Sequence, residues 1–203
     1  MDPQLWLIYL LASVGLALSP GPNGLLALTH GALHGPRKAV FTALGGVTGF
    51  AALIAMSMFG IGALLQASPV WLTVLKWAGG AYLVWLGVQV WRSPPIGVDL
   101  RADGRPAAVG TLYRQAFLTA LTNPKALLFF MAFLPQFIEP SRSLGLQFAI
   151  LASTYAVIEL VFEIGLAAAA HRISPWLKRS GQRFNQGCGA VFIAIGLVLP
   201  LRG

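Results

Sequence analysis

Apolar residues run through this chain in stretches longer than a soluble core uses, and short polar or Pro/Gly-rich gaps separate them. A bilayer core about 30 Å thick takes roughly 20 apolar residues of helix to cross. The runs predict six spans: 5–28, 39–65, 70–91, 112–137, 144–170 and 186–201. The turn Gln66-Ala67-Ser68-Pro69 joins spans two and three, and the stretch around Ile138–Ser143 joins spans four and five. The expected fold is an all-α membrane protein, a single transmembrane domain over residues 1–203 with halves at about 1–100 and 110–203.

Two of the spans are interrupted at matching places. The first carries Ser19-Pro20-Gly21-Pro22-Asn23 and the fourth carries Thr122-Asn123-Pro124-Lys125. Proline lacks a backbone donor and clashes with the preceding helical turn. In hydrocarbon, non-helical backbone is tolerated only where protein or a watery cavity covers it. Paired breaks in the two halves of a membrane protein point to a transported substrate's site. A kink filled by a neighbouring helix is the other reading of each proline. Pro20 falls 15 residues after Leu5 and Pro124 falls 12 after Leu112. At 1.5 Å per residue those are depths of about 22 Å and about 18 Å, inside the membrane on either count.

Composition agrees with membrane insertion. The chain is 57% hydrophobic and 10% charged, with a mean hydropathy of +0.74, against about 25% charged residues in soluble domains. The net charge of +8 suggests a nucleic-acid partner only in a soluble protein; here it belongs to loops. Ten of the fourteen Lys and Arg fall on one side, at Arg37 and Lys38, at Arg92, Arg101, Arg105 and Arg114, and at Arg172, Lys178, Arg179 and Arg183. Arg142 and Arg202 fall on the other. The positive-inside rule puts the ten in the cytoplasm and both termini outside. The N-terminus, Met1-Asp2-Pro3-Gln4, has no basic residue and does not read as a cleavable signal. One cysteine, Cys188, excludes an internal disulfide or dithiol pair.

Three spans per half is an odd number, so the second half enters from the opposite side, and the expected arrangement is a 3+3 inverted repeat. Gly80-Ala81 to Gly87 in span three and Gly189-Ala190 to Gly196 in span six share one spacing with apolar residues between, as repeat partners would. Inverted repeats hold substrate near the midplane and permit alternating access by rocking.

Lys125, Glu159 and Glu163 lie inside spans, where ionisable residues are costly and face the bundle interior. Glu159 and Glu163, four apart, share a helix face. Two readings stay open: a proton-coupling pair, or an ion pair that satisfies Lys125. Half-helix N-termini attract anions and C-termini attract cations, which suits an amino-acid zwitterion. The candidate substrate-binding residues are Ser19, Pro20, Gly21, Pro22, Asn23, Asn123, Pro124 and Lys125. Amides after Pro22 and Pro124, with Lys125 nearby, are expected to meet the carboxylate. The carbonyl end at Ser19–Gly21, Asn23 and Asn123 are expected to meet the ammonium. His30, His34 and His171 are read as capping or surface residues near the cytoplasmic edge, and Gly45, Gly46 and Gly49 as a close-packing face within the subunit or at a dimer seam.

The set formed by Ser19-Pro20-Gly21-Pro22-Asn23, Asn123-Pro124-Lys125, Phe133-Leu134-Pro135-Gln136-Phe137 and Gly80-Ala81-Tyr82-Leu83 resembles the LysE/RhtB family of amino-acid exporters over essentially the whole chain. The resemblance implies a homodimeric bacterial inner-membrane exporter of amino acids or derivatives, driven by protons, with no cofactor and no enzymatic step. The alternative is an inorganic-cation transporter of related architecture, for which two glutamates and one asparagine per half make a sparse oxygen cage. A membrane-embedded enzyme lacks a catalytic base or ligand set within the spans.

Overall fold

The computed structural model describes residues 2–19, 21–67, 70–92, 107–139 and 141–198, the side chains of 61–73, 75, 76, 79, 124, 171–179, 181 and 184 excepted. The predicted loop arginines 101, 105 and 202 therefore lie outside the described residues, as does Pro20. The described chain is all helical: α1 (Pro3–Leu18), α2 (Pro22–His34), α3 (Pro36–Ala67), α4 (Val70–Arg92), α5 (Val109–Leu121), α6 (Pro124–Phe133), a 3-10 turn at Leu134–Phe137, α7 (Leu144–Ala168) and α8 (Ala170–Val198).

Local chemistry sets the helix starts. Asp2 accepts from the Gln4 amide at 2.8 Å with Pro3 in the first turn, an N-cap with a pre-set φ behind it. Asn123 accepts from the amides of Lys125 at 3.1 Å and Ala126 at 3.4 Å, with Pro124 in the first turn. Among the described residues Gly35 alone has a positive φ, 81°. It lets α2 turn into α3 across one residue, a conformation side chains resist.

Among the described residues two helices, α3 over Pro36–Gly60 and α7, are long and apolar enough to cross a membrane, or up to four spans if each bent pair is counted as one. The bent pairs are α1 with α2, at 54°, and α5 with α6 and the 3-10 turn, at 50°. The predicted spans 5–28 and 112–137 are thus each two helices meeting at the expected breaks. The predicted polar loop before span six is different. After a one-residue break at Ala169, α8 carries helix through 172–183. Polarity alone marked that stretch as loop, but Lys, Arg and Gln are good helix formers.

Glycines allow the closest helix contacts. A Cβ on Gly45 would meet the Tyr113 carbonyl of α5, and one on Gly49 would lie 2.7 Å from Phe117 O. The Gly45–Gly49 face therefore packs within the subunit. Between α4 and α8, a Cβ on Gly87 would lie 2.6 Å from Gly189 O, and one on Gly196 would lie 2.7 Å from Gly80 O. Residues 80 to 87 thus run antiparallel to 189 to 196. The core is aromatic. Tyr9, Phe50, Phe129, Phe130, Phe133, Phe137, Tyr155 and Phe192 are buried, with Phe133–Phe137 centroids 4.6 Å apart and Phe130–Tyr155 5.0 Å apart edge to face. Such geometry adds about 0.5–1.5 kcal/mol per pair beyond burial. Leu7, Leu11, Met56, Phe59, Val157 and Val161 are exposed, an apolar exterior suited to lipid.

Candidate functional site

The two helix breaks face each other. α1 ends at Leu18, and the last carbonyls of a helix have no partner of their own. Lys125, in the first turn of α6, reaches across to them. Its Nζ donates to Ser19 O at 2.8 Å, Leu16 O at 3.2 Å and Ser19 Oγ at 3.3 Å. A cation at a helix C-terminus also complements the helix dipole. Gly21 makes room for it, because a Cβ there would lie 2.7 Å from Nζ.

The two half-helix N-termini differ. At α6 the Asn123 side chain takes the free amides. At α2 the N-cap is Gly21, and no side chain caps the amides. The α2 start is therefore the half-helix end with amides left for an outside acceptor.

Between the breaks is a small cavity walled by Ser19, Gly21, Asn23, Asn123, Lys125 and Glu159, with Phe50 and Tyr155 closing one side. Its free volume of about 10 Å³ is at the limit for one water molecule. Glu159 projects from α7 and is buried. It interacts electrostatically with Lys125 across the cavity, yet no contact ion pair within 4.0 Å joins them. The ammonium is hydrogen-bonded by α1 oxygens instead.

Glu163 lies one helical turn along α7, is fully buried, and neither of its oxygens meets a hydrogen-bond donor among the described residues. Its electrostatic neighbours are Glu159 and the Asn23 amide. Asn23 and Glu163 gather at Gly46, where a Cβ would lie 2.9 Å from Asn23 Nδ2 and 3.0 Å from Glu163 Oε2. Asn23 Nδ2 itself reaches the Ala116 carbonyl of α5 at 3.4 Å.

His30 departs from the surface reading. It is buried, its Nδ1 is 2.8 Å from Thr42 Oγ1, and its ring centroid is 5.7 Å from that of His34. The signal was present in the spacing: His30 follows Asn23 by seven residues, two helical turns on one face. The side chain of His171 lies outside the described residues. Among the described residues no group of three His, Cys, Asp or Glu is placed to hold a metal ion.

The profile of the LysE type translocator matches residues 14–203. The chain belongs to the LysE translocator family. It is 38% identical over 201 residues to the homoserine/homoserine lactone efflux protein of Salmonella typhimurium, covering 98% of this chain and 97% of that one. It is 31% identical over 184 residues to the leucine efflux protein of an Enterobacter species, covering 90% and 87%. An uncharacterized membrane protein of Vibrio cholerae is 34% identical over 98% of both chains. No solved structure matches. Of the candidate residues in this LysE family member, Ser19, Gly21, Asn23, Asn123, Lys125 and Glu159 wall one cavity. Pro22 and Pro124 head α2 and α6, and Glu163 sits a turn from Glu159.

Proposed function

We propose that this protein is a bacterial inner-membrane exporter of amino acids or amino-acid derivatives, coupled to protons and working by alternating access. The observation that carries this reading is the meeting of two broken helices around one polar cavity. That cavity offers the open amide end of α2, the carbonyl end of α1, an ammonium and a carboxylate. A zwitterion needs both signs. Its carboxylate is assigned to the α2 amides, and its ammonium to the Ser19 carbonyl end, Asn23, Asn123 and Glu159. Lys125 then swings from α1 toward the carboxylate as the ammonium enters.

A volume of about 10 Å³ is too small for any amino acid. Substrate entry requires the half-helices to part, as alternating access does. The six-span inverted repeat is supported by the α4–α8 seam. Exchanging 80 with 189 and 87 with 196 turns the contact of Gly87 with Gly189 into that of Gly196 with Gly80, as a two-fold axis in the membrane plane requires. The homodimer and the absence of enzymatic chemistry rest on the family resemblance.

The test is export itself. The protein is overexpressed in bacteria fed dipeptides, and extracellular amino acids are profiled, homoserine and leucine first because relatives carry those names. Several-fold accumulation of one or more amino acids over a vector control is expected. An unchanged profile sinks the reading.

A further inference from the structure

We infer that the carbonyl end of α1 is a binding site for a monovalent cation, filled from within by the ammonium of Lys125. An ammonium has three N–H donors, and three oxygens receive them: Leu16 O, Ser19 O and Ser19 Oγ, at 2.8 to 3.3 Å. All three belong to one chain end, and the ammonium arrives on a side chain from the other half of the molecule. The oxygens are therefore arranged by α1, not by Lys125. The site has the three features a free cation needs. The α1 dipole and its unpaired carbonyls supply negative potential. Glu159 places a carboxyl group on the wall of the same cavity. Gly21 supplies space, since a Cβ would crowd Nζ at 2.7 Å.

Lys125 is thus a resident substitute for an exchangeable ion. With the site occupied covalently, the wild-type protein has no need of sodium there. Without the ammonium, the oxygens recruit a small cation from solution: an alkylammonium where the whole side chain is gone, or sodium where an uncharged stem remains.

The experiment uses the full-length protein in detergent and reads its unfolding temperature, because a ligand that binds only the folded state raises it with the logarithm of ligand concentration once that exceeds Kd. Lys125→Ala is expected to rise by several degrees in methylammonium chloride and not in choline chloride at equal ionic strength, since choline is too bulky. Lys125→Met keeps the stem and removes only the charge, and it is expected to rise in sodium chloride and not in choline chloride. Wild type is expected to show neither difference, because neither cation carries the carboxylate that would draw Lys125 off α1. If Lys125→Ala does not fold, Lys125→Met carries the test. A Lys125→Met protein with wild-type stability and no preference among cations overturns the inference, as does a wild type that responds as the variants do. The readout involves no transport, so a failure of export in cells removes the exporter reading and leaves this site standing. The inference deepens that reading by naming the oxygens at its site that hold a cation.

Discussion

Glu159 and Glu163 are chemically identical and four residues apart, yet the structure gives them different surroundings. Glu159 faces Lys125 across the cavity. Glu163 is buried beside Asn23 and Gly46 with no donor on either oxygen. A second charge beside Glu159 in such a place is costly, so a group there suits carrying a proton better than holding a substrate. Glutamine keeps the shape and cannot carry a proton. In vesicles, Glu159→Gln is expected to lower transport under every driving condition, because the cavity loses the charge opposite Lys125. Glu163→Gln is expected to keep exchange of substrate down its own gradient while uptake driven by an imposed pH gradient falls about tenfold, equivalent to about 1.4 kcal/mol. Full gradient coupling in both variants sinks the proton-carrier role. The spacing made the pair visible in the sequence. What else each carboxyl faces was not, because Lys125, Asn23 and Gly46 come from three other helices.

At the scale of helices, the breaks were legible because proline and asparagine act locally. Pro22 and Pro124 each stand in the first turn of a half-helix, where a missing N–H costs nothing. The partner of Lys125 was not legible, since Ser19 is 106 positions away. The polar start of α8 was misread as loop because charge marks solvent, not the end of a helix. The shared glycine spacing was legible, and the structure gives it a mechanical reason: α4 and α8 touch backbone to backbone at Gly87 and Gly189. At Gly87 the obstruction includes main chain, which cannot rotate away as a side chain can. Gly87→Ala and Gly189→Ala are each expected to cost about 1–3 kcal/mol, the usual range for overpacking. Alanine at Gly60, with nothing within 4 Å of a Cβ, is expected to change little. Unfolding temperatures of the three variants decide it, and equal values would mean the seam is slack enough to absorb a methyl group.

For the whole molecule, the charge distribution is the ground for a proposed orientation, and orientation decides what the broken helices can do. If the ten clustered basic residues face the cytoplasm, α2 and α7 carry His30 and Glu163 toward that side of the cavity, while Glu139 and its 2.6 Å partner Arg142 face outward. That surface pair is worth at most about 1 kcal/mol, so the loop tolerates a probe. Cys188 is buried and free, and changing it to serine gives a background without cysteine. Single cysteines at positions 4 and 142 are expected to react with a membrane-impermeant maleimide in intact bacteria. Cysteines at 37 and 183 are expected to react only after the inner membrane is opened. The reversed pattern would invert every statement of sidedness, including which face delivers substrate to the α2 amides. Labelling of all four in intact cells would mean that fewer than six segments cross, and the repeat would lose the odd parity that makes it inverted. The expected pattern is the one that two halves entering from opposite sides would give. Only then does parting the half-helices on one side leave the other side of the cavity closed, which an exporter working against a gradient requires.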